Sequence, residues 1–488
     1  MSASIDDLPT YSGRSAQHGR TLSEGILAGL VALLDAILII VSGLLVYFAY
    51  VDARETDVLP AYVAALAMFT YLVTQAFYVA GLYRFSAIRS PAQQLGRIIS
   101  IFSVVILILV AAAFFLKISE DFSRFWLFAT SVSAIVMVLI GRGATARALR
   151  VLARRGQLTR NILIYGGATE IERLLEHFRR ANEPWNVVAG IFDDRQSAAG
   201  TELNGLAVRG DLQDLIRHAR IERAEEIIVA LPWESLHGRI QDIFHELSVL
   251  PANIRLCPDH TVMGILSRSI DYRYGLPLIG VLDKPMSGWH AVAKRAFDFC
   301  VSGLMLLLLA PLMGAIMIGI KLDSRGPVFF RQRRYGFNNE LIEVWKFRTM
   351  KVDHQDADAE RLATPNDPRV TRFGSLLRKT SLDELPQLYN VIAGSMSLVG
   401  PRPHALKAKA GDELYEHVVG EYAKRHRVKP GITGWAQVNG WRGETDTEEK
   451  IIKRVEHDLY YIDNWSIWLD IRILLRTLGV FYSQENAY

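Results

Sequence analysis

Long apolar stretches dominate the first third of the chain. Four of them follow one another, the fourth near the lower length limit for a transmembrane helix: 25–51, 58–83, 98–116 and 125–141. A helix needs ~20 such residues to cross a hydrocarbon core of ~30 Å. Asp35 is the only charged residue within these stretches. The pattern predicts four transmembrane helices over 25–141, behind a polar tail at 1–24 that does not resemble a secretory signal.

The connections between the predicted spans indicate their orientation. The second connection holds Arg84, Arg89 and Arg97, and the segment 142–160 holds further arginines, with no acidic residue in either. Basic connections stay in the cytoplasm, so both ends of this four-helix bundle are predicted to be cytoplasmic. A lone charge inside a span, such as Asp35, is a candidate functional site, although a cap or an interhelical hydrogen bond explains it equally well.

Between 142 and 285, short apolar runs alternate with amphipathic ones. "NILIYGG" (Asn161–Gly167) predicts a strand and turn, and "EIERLLEHFRR" predicts the helix that follows it. Repetition of this unit is typical of a parallel sheet of the Rossmann type. The turn lacks a third glycine and places Glu170 where a phosphate needs positive potential. We therefore expect a degenerate, Rossmann-like (CoA-binding-like) domain with a structural or regulatory role.

The segment 286–325 contains a fifth apolar stretch, which is uncharged from 299 to 320. Its two flanks are both basic, so a crossing would violate the orientation rule on one side. Pro311 lies in its middle and removes a helical hydrogen bond. These features favour a re-entrant helical hairpin that enters the inner leaflet and returns, and an ordinary fifth span with a proline kink is the alternative.

The last segment, 326–488, combines cations with turn residues. The cations recur beside glycines and prolines rather than along one helical stripe: Lys346, Arg348, Arg372, Arg378, Lys379 and Arg402. Guanidinium groups bind phosphoryl oxygens in a bidentate manner, so the arrangement suits several phosphate groups. A basic face attracted to anionic lipid headgroups would account for some of these residues as well.

Two adjacent carboxylates, Asp383 and Glu384, lie among these cations. Neighbouring residues on a helix point about 100° apart, so the two side chains are expected to do different work. One would act as a nucleophile on phosphorus and the other would bind Mg²⁺, which proteins hold with one or two carboxylates plus substrate phosphates. Helix capping alone is the competing explanation of such a pair.

The motifs "KFRTM", "RKTSLDELPQ", "SLVGPRP" and "KPGITGWAQ" occur in this order between 346 and 437. Together they resemble the bacterial sugar transferases of the polyprenyl-phosphate hexose-1-phosphate transferase family, over about 290–488. The preceding spans and Rossmann-like domain are similar to those of the large members that start exopolysaccharide or capsule synthesis. The resemblance implies a membrane-associated α/β catalytic domain on the cytoplasmic face of the bacterial inner membrane.

The same resemblance implies a reaction and a role for each matching residue. A sugar 1-phosphate would pass from a UDP-sugar to undecaprenyl phosphate with release of UMP, through a phosphosugar intermediate on Asp383. Glu384 would bind Mg²⁺, Arg378 and Arg402 would bind phosphate, and Lys346 matches the lysine of the family's "KFRTM" element. Arg348, two residues further on, is added as a phosphate-binding candidate. Family members often have Ser-Pro at the re-entrant break, where this chain has Ala310-Pro311.

Several alternatives stay open on the sequence. The four spans and the "ENAY" ending resemble the glucose-type branch of the family, and galactose 1-phosphate is the alternative cargo. A non-catalytic membrane platform for assembly is a further possibility, with homo-oligomers or other polysaccharide assembly proteins as partners; no nucleic acid is expected. A membrane-bound nucleotide-sugar dehydratase is excluded, because no tyrosine is followed by lysine four positions later.

Overall fold

The computed structural model describes most of the chain, which divides into two compact units. The residues described are 24–52, 58–118, 120–154, 160–181, 186–193, 200, 202–231, 239–257, 271–273, 276–351, 367–403, 409–410, 413–414, 421–441 and 447–483. One unit is Tyr11–Arg160 with Glu183–Val187, and the other contains Asn161–Asn182 and Val188–Tyr488. The "ENAY" ending and most of the N-terminal tail lie outside the described residues.

The first unit consists of apolar helices. The long ones are α1 (Glu24–Val46, continued by a π-helical turn, Tyr47–Val51), α2 (Leu59–Val79), α4 (Leu95–Phe115) and α5 (Arg124–Arg154). A short helix, α3 (Phe85–Arg89), and a 3₁₀ turn, Pro91–Gln94, connect α2 to α4. Helix α1 packs against α2 and α5, and α4 packs against the same two helices. The presence of several long apolar helices agrees with the sequence prediction.

Asp35 is fully buried in this unit and is paired with Arg142 of α5, which the sequence counts among the cytoplasmic arginines. The Arg142 guanidinium donates to an Asp35 carboxylate oxygen through Nη2 at 2.7 Å and Nε at 3.2 Å. It also donates to the Leu82 carbonyl at 2.9 Å and contacts the Phe77 ring. The pair therefore joins α1, α5 and the end of α2, and the interhelical explanation of Asp35 is the one that the contacts support.

The second unit begins with a six-stranded sheet in the order β2-β1-β5-β6-β8-β7. Its strands are β1 (Arg160–Gly166), β2 (Asn186–Phe192), β5 (Glu226–Ala230), β6 (Asn253–Leu256), β7 (Asp271–Arg273) and β8 (Leu276–Leu282). Strands β1, β5 and β6 are parallel, with Ile162 opposite Glu226 and Ile227 opposite Ile254. Strand β8 runs antiparallel to β6 and to β7. The predicted parallel pairing is therefore found for β1, β5 and β6, whereas the hairpin of β7 and β8 makes the sheet mixed at this edge.

Helices cover both faces of this sheet, since successive residues of its buried strands point to opposite sides. Leu163 and Tyr165 pack on one side, with α7 (Leu212–Ile221) and α8 (Ile240–Leu247). Ile162 and Ile164 pack on the other, with α6 (Ala168–Ala181). A small antiparallel pair, β3 (Glu202–Leu203) and β4 (Leu206–Ala207), follows β2. The result is a three-layer α/β domain, as the alternating pattern predicts.

A single long helix, α9 (Trp289–Asp323), follows the sheet and includes Pro311. The sequence favours a hairpin here, but the helix continues through Pro311 without a turn between two separate helices. It exposes a run of large apolar side chains, among them Leu304, Leu307 and Leu308. Five helices of the described chain, α9 included, are long and apolar enough to cross a membrane.

The remaining elements form a compact α/β region around α9. A hairpin of β9 (Phe329–Tyr335) and β10 (Leu341–Phe347) is followed by α10 (Arg372–Lys379) and α11 (Gln387–Ala393). Strand β11 (Ser397–Val399) pairs in parallel with β14 (Gly431–Thr433). The other elements are β12 (Lys409–Ala410), β13 (Glu413–Leu414), α12 (Trp435–Val438), α13 (Glu448–Asp463) and α14 (Ile467–Ser483).

Candidate active site

The predicted carboxylate pair lies in a single 3₁₀ turn, Leu382–Glu384, between α10 and α11. Ser381 enters the turn in the left-handed region, with φ 55° and ψ 18°, and Pro386 precedes the first residue of α11. A left-handed residue other than glycine is uncommon and reverses the chain sharply. The reversal allows α10 to end with Arg378 close to the two carboxylates of the 3₁₀ turn.

Glu384 is held from two sides by cations. Arg402 donates to both carboxylate oxygens, from Nη2 to Oε1 at 2.6 Å and from Nη1 to Oε2 at 3.1 Å. Lys346 Nζ donates to Oε1 at 3.2 Å. Burial raises the pKa of Glu384, but the charges and hydrogen bonds of Arg402 and Lys346 outweigh it and hold the pKa well below the usual range. Glu384 is therefore an ionised carboxylate in a fixed orientation.

Asp383 has a different environment, although it is the adjacent residue. Its side chain is buried, and among the residues that the structure describes it makes no hydrogen bond or ion pair. Burial raises the pKa of Asp383 to about 6, and the neighbouring charge of Glu384 acts in the same direction against Lys346, Arg378 and Arg402. A carboxylate with this pKa is ionised at neutral pH. Because no described hydrogen-bond donor occupies its oxygens, it is suited to act as a nucleophile.

Strand β10 and helix α11 position Lys346. The Asn390 side chain of α11 accepts from the Trp345 backbone N–H at 2.9 Å and donates to the Glu343 carbonyl at 2.7 Å. These two bonds fix the strand that carries Lys346. The sequence gives no strong signal for Asn390, since a single asparagine in a predicted helix is usually a surface residue.

Arg402 follows strand β11 in the "SLVGPRP" motif, where two segments of the chain approach closely. A Cβ at Gly400 would lie 2.6 Å from the Lys429 carbonyl oxygen, so only glycine fits there. The Arg402 carbonyl accepts from Arg425 Nη2 at 3.0 Å, and Arg425 is itself paired with the buried Asp458 at 2.7 Å. The buried pair therefore supports the backbone that carries Arg402, a role that the sequence does not reveal.

Arg378 reaches the site from the last turn of α10. Its Nε donates to Thr349 Oγ1 at 2.9 Å, while the charges of Asp383 and Asp367 face its guanidinium. Thr371 caps α10 by accepting from the Gly374 N–H at 3.0 Å. A Cβ at Gly374 would lie 2.2 Å from the Thr349 carbonyl oxygen, so this glycine permits the close packing of α10 against the segment after β10.

The structure does not bring Arg348 to this cluster, in contrast with the sequence expectation. Its side chain is 2% exposed and donates to the carbonyls of Ser324 at 2.7 Å and Arg325 at 3.0 Å. These carbonyls follow the end of α9, where backbone acceptors lack helical partners. Arg348 therefore anchors the end of α9. Its position two residues after Lys346 in the sequence does not indicate this role.

Lys294 anchors the start of α9, although the sequence shows it only as a basic residue beside the apolar stretch. Lys294 Nζ donates to Asp470 of α14 at 2.7 Å, to Asp298 at 3.2 Å and to the Val399 carbonyl at 3.1 Å. Tyr461 donates to the same Val399 carbonyl at 3.0 Å. The spacing of Lys294 and Asp298, four residues apart before an apolar stretch, is the signal that could have indicated the pair.

The predicted Mg²⁺ site can be tested against the donors that are present. No group of three or more metal-ligating side chains occurs within the described residues. Mg²⁺ needs only one or two protein carboxylates when substrate phosphates supply the rest. Glu384 is ionised, and its Oε2 accepts a single hydrogen bond, so that oxygen has capacity for a metal. The Glu384 carboxylate thus fits Mg²⁺ bound together with a phosphorylated substrate.

Comparisons with known proteins identify the family of the chain. The bacterial sugar transferase family matches residues 289–484. The "UDP-glucose:undecaprenyl-phosphate glucose-1-phosphate transferase" of Xanthomonas campestris pv. campestris is 35% identical over 461 residues, which is 93% of this chain and 93% of that protein. The chain belongs to the bacterial sugar transferase family. The resemblance found in the sequence is confirmed, and the protein is a transferase enzyme.

Two further relatives of this sugar transferase define the range of similarity. The protein of the same name from Escherichia coli (strain K12) is 41% identical over 368 residues, 74% of this chain and 75% of its own length. A "UDP-N-acetylgalactosamine-undecaprenyl-phosphate N-acetylgalactosaminephosphotransferase" of Aeromonas hydrophila is 33% identical over 293 residues, 57% of this chain and 66% of its own. Relatives named for different sugars therefore share the family with this chain.

A CoA-binding domain family matches residues 78–258 of the sugar transferase, from the end of α2 to β6. The turn between β1 and α6 does not fit a phosphate-bearing cofactor, because Glu170 lies in the first turn of α6. A Cβ at Gly166 would lie 1.9 Å from the Ala230 carbonyl oxygen, so this glycine serves the close approach of β1 and β5. We assign no step of the reaction to such a cofactor.

Proposed function

We propose that the protein transfers a hexose 1-phosphate, namely glucose 1-phosphate, from a UDP-sugar to undecaprenyl phosphate and releases UMP. The observation that carries the proposal is the unequal environment of the two adjacent carboxylates. Glu384 is neutralised by Lys346 and Arg402, while Asp383 has a raised pKa and no donor among the described residues. Helix capping, the competing explanation, accounts for neither difference. The names of the Xanthomonas and Escherichia relatives describe the same reaction for those proteins.

In the first half-reaction, an oxygen of the ionised Asp383 attacks the sugar-bearing phosphorus of the UDP-sugar. The bond between that phosphorus and the oxygen bridging to UMP breaks, UMP departs with the electron pair, and the sugar phosphate is left on Asp383. Arg378 and Arg402 face the space beside Asp383, and their charges suit the diphosphate on which negative charge accumulates. Mg²⁺ bound by Glu384 and the diphosphate would supply further neutralisation of that charge.

In the second half-reaction, a phosphate oxygen of undecaprenyl phosphate attacks the same phosphorus. The acyl phosphate bond breaks, Asp383 returns as a carboxylate, and the product is the lipid diphosphate sugar. The two steps use one nucleophile in turn and predict ping-pong kinetics. Lys346 and Arg402 keep Glu384 in place through both steps, so the charge next to Asp383 is constant.

The acceptor is a lipid, and helix α9 supplies a reason for the site to lie at a membrane surface. Both ends of α9 contact the same region: Lys294 pairs with Asp470, and the Asp323 carboxylate accepts from the Phe373 N–H at 3.3 Å. Ends on opposite sides of a bilayer could not share one compact partner. The exposed apolar residues between them support our proposal that α9 bends at Pro311, where proline removes a helical hydrogen bond, and so enters one leaflet and returns without ceasing to be one helix.

The wider setting follows from the family and the charge pattern. The arginines between the predicted spans favour an inner-membrane protein with its catalytic region in the cytoplasm, where UDP-sugars are available. A first step in exopolysaccharide or capsule synthesis is consistent with the "Exopolysaccharide production protein PSS" of Rhizobium leguminosarum bv. phaseoli, 50% identical over 187 residues. Galactose 1-phosphate is the alternative cargo, since no described residue of the site distinguishes the hydroxyl groups of one hexose from those of another.

The test uses the purified full chain in detergent with Mg²⁺, undecaprenyl phosphate, and either UDP-glucose or UDP-galactose. We expect UMP release with UDP-glucose, and loss of release in Asp383→Asn, which keeps the shape but not the charge. Without acceptor, wild-type protein should release one UMP per active site and carry a hexose phosphate detectable by mass spectrometry. The exposed Lys453→Gln variant is the control for a lost charge elsewhere.

Either of two results contradicts the proposal. UMP release that is indifferent to Asp383→Asn would exclude the covalent mechanism. Release from neither donor, together with normal polymer formation in cells that carry Asp383→Ala, would favour the non-catalytic assembly platform. Release from UDP-galactose alone would retain the reaction and change the sugar.

A further inference from the structure

A cavity of about 240 Å³ lies where the chain leaving β8 meets the first turns of α9. Its charged lining comes from that connection, from α9 and from the segment before β14: Lys284, Lys294, Arg295, Asp298, Arg427 and Lys429. The residues of the proposed active site, Asp383 and Glu384 with their cations, do not line it. The cavity is therefore a separate concave site, and five of its six charged residues are cations.

Most of these cations lack a carboxylate partner within the part of the chain that the structure describes. Arg295 donates to the carbonyls of Val391 and Ile392, which are neutral. Lys429 makes no hydrogen bond or ion pair there, and burial followed by the charge of Arg295 lowers its pKa. Positive charge is thus in excess in the cavity, where Asp298 is the one lining acid.

Arg427 is the second, independent indication of a ligand. Its side chain is more than nine-tenths buried, with 7% exposed, and one terminal nitrogen donates to the Asp283 carbonyl at 2.8 Å. Its Nε is buried without any hydrogen-bond partner among the described residues. A buried unsatisfied guanidinium donor is costly, and native proteins pair such groups with protein, water or a bound ligand.

Asp298, the one acid that lines the cavity, is already committed. Its Oδ1 accepts from Lys294 at 3.2 Å and from the Leu398 N–H at 3.2 Å, and its Oδ2 accepts from the Ser397 hydroxyl at 2.8 Å. Lys294 is further neutralised by Asp470. These bonds leave Arg427, Lys429 and Arg295 as the cations available to an anion from outside.

We propose that this cavity binds a phosphoryl group, presented by a phospholipid headgroup or by free phosphate. Two guanidinium groups and an ammonium match the tetrahedral oxygens of a phosphoryl group through charge-assisted hydrogen bonds. The volume is below the ~300 Å³ at which pockets for drug-sized ligands begin, so it suits a phosphoryl group with few attached atoms rather than a nucleotide. Lys294 and Arg295 directly precede the uncharged stretch 299–320, which places the cavity near the depth of lipid headgroups.

The ligand would connect parts of the chain that are distant in sequence. Lys284 and the Asp283 carbonyl belong to the connection from the six-stranded sheet, whereas Arg427 and Lys429 precede β14 of the catalytic region. A phosphoryl group held by both would fix the connection against the start of α9. The site is therefore expected to stabilise the fold, independently of the transfer reaction.

The test measures binding to the full chain in detergent rather than catalysis. Unfolding midpoints are followed by scanning calorimetry as inorganic phosphate replaces chloride at constant ionic strength. Lys429→Gln is the main variant, because the Lys429 side chain makes no hydrogen bond or ion pair among the described residues that its replacement would break. Lys429→Arg is the conservative variant, and the exposed Lys453→Gln is the matched control. The cations around Asp383 are also expected to bind phosphate, but their contribution should be the same in the wild type and in all three variants.

We expect Lys429→Gln to weaken the cavity-dependent phosphate affinity about tenfold or more, as the loss of a hydrogen bond to a charged group implies. Lys429→Arg should retain the affinity and Lys453→Gln should match the wild type. If Lys429→Gln and wild-type protein give the same phosphate titration, the proposal is wrong. Failure of the transferase assay would leave this result unaffected, because no turnover is measured.

The source of the phosphoryl group is decided by transferring the same proteins into lipid nanodiscs. Wild-type protein in discs of phosphatidylglycerol should unfold at a higher temperature than in discs of phosphatidylcholine, and should stop responding to added phosphate, if a lipid headgroup occupies the cavity. The difference should disappear in Lys429→Gln. A persistent response to phosphate in both kinds of disc, again dependent on Lys429, assigns the cavity to free phosphate.

Discussion

The pKa of Asp383 makes a direct prediction about the pH dependence of the first half-reaction. Burial and the adjacent Glu384 charge raise this pKa to about 6. Only the ionised carboxylate can attack phosphorus, so activity is present above the pKa and is lost as the pH falls through it. We therefore expect kcat/KM for UMP release to decline on the acid side with an apparent pKa of about 6.

The size of the effect follows from the ionised fraction. With a pKa of about 6, roughly nine-tenths of Asp383 is ionised at about pH 7 and about one-eleventh at about pH 5, which is a tenfold loss. An aspartate with the ordinary value of about 3.9 would still be more than about nine-tenths ionised at about pH 5. The two situations differ enough to be separated by initial rates.

The assay follows the first turnover of UMP at low UDP-sugar concentration, without undecaprenyl phosphate. Omitting the acceptor matters because a phosphate monoester itself titrates near pH 6 and would mask the enzyme group. At low substrate concentration, the pH dependence of kcat/KM reports the pKa values of the free enzyme. The pKa of Asp383 derived from the structure is likewise that of the free enzyme. Unfolding midpoints measured across the same pH range serve as the control that the protein stays folded.

Glu384→Gln supplies an internal check on the cause of the shift. The substitution removes the like charge beside Asp383 and leaves Lys346 and Arg402 without their carboxylate. Both changes lower the pKa of Asp383, so the residual activity should extend to lower pH than in the wild type. A wild-type acid limb near pH 4, or a flat profile between pH 5 and 7, would refute the assignment of a buried, unpaired nucleophile at Asp383.

Three further predictions follow from other contacts. Asp35→Ala should lower the free energy of unfolding by about 3–5 kcal/mol, measured by thermal denaturation in detergent, because Arg142 is left buried without its partner. Arg402→Gln should lower kcat/KM for UMP release by about 10²–10³, since a positioned donor and the main counter-charge of Glu384 are lost. Gly374→Ala should destabilise by about 1–3 kcal/mol, because its Cβ would lie 2.2 Å from the Thr349 carbonyl oxygen.

Each of these predictions has a control within the chain. For the buried pair, replacing Asp35 and Arg142 together by Leu and Met should recover part of the stability, and no recovery would contradict the ion-pair explanation. Arg402→Lys keeps the charge but not the bidentate geometry, so it should restore activity only in part. Gly479 lies in α14, and no described atom lies within 4 Å of the position that an added methyl group would occupy, so Gly479→Ala should be neutral or slightly stabilising.

Much of the molecule is predictable from the order of residue types. Uninterrupted apolar stretches identify the membrane helices, because hydrocarbon tolerates few charges along a helix of that length. Alternating strands and helices identify the central sheet. They do not predict the antiparallel pairing of β8, because that pairing depends on the strands next to β8 and not on its own residues. Asp383, Glu384 and Arg402 stand out because charges beside turns and prolines have no simple packing role.

Other features depend on which side chains meet in three dimensions. Asp35 and Arg142 are 107 residues apart, and nothing local indicates that they form one buried pair. Arg348 lies two positions from Lys346, yet it binds the end of α9 instead of joining the cluster. The unequal environments of Asp383 and Glu384 likewise come from Lys346 and Arg402, which donate hydrogen bonds to the second carboxylate and not to the first.

The kinds of elements and the types of charged group can therefore be inferred from residue order. Local patterns encode the elements because propensity and hydrophobic periodicity act over a few residues. Which charges are neutralised, as at Glu384, and which are not, as at Asp383 and Lys429, follows from the packing of the folded chain. Coulomb energies and desolvation depend on distance and burial, and both are set only when remote segments pack together.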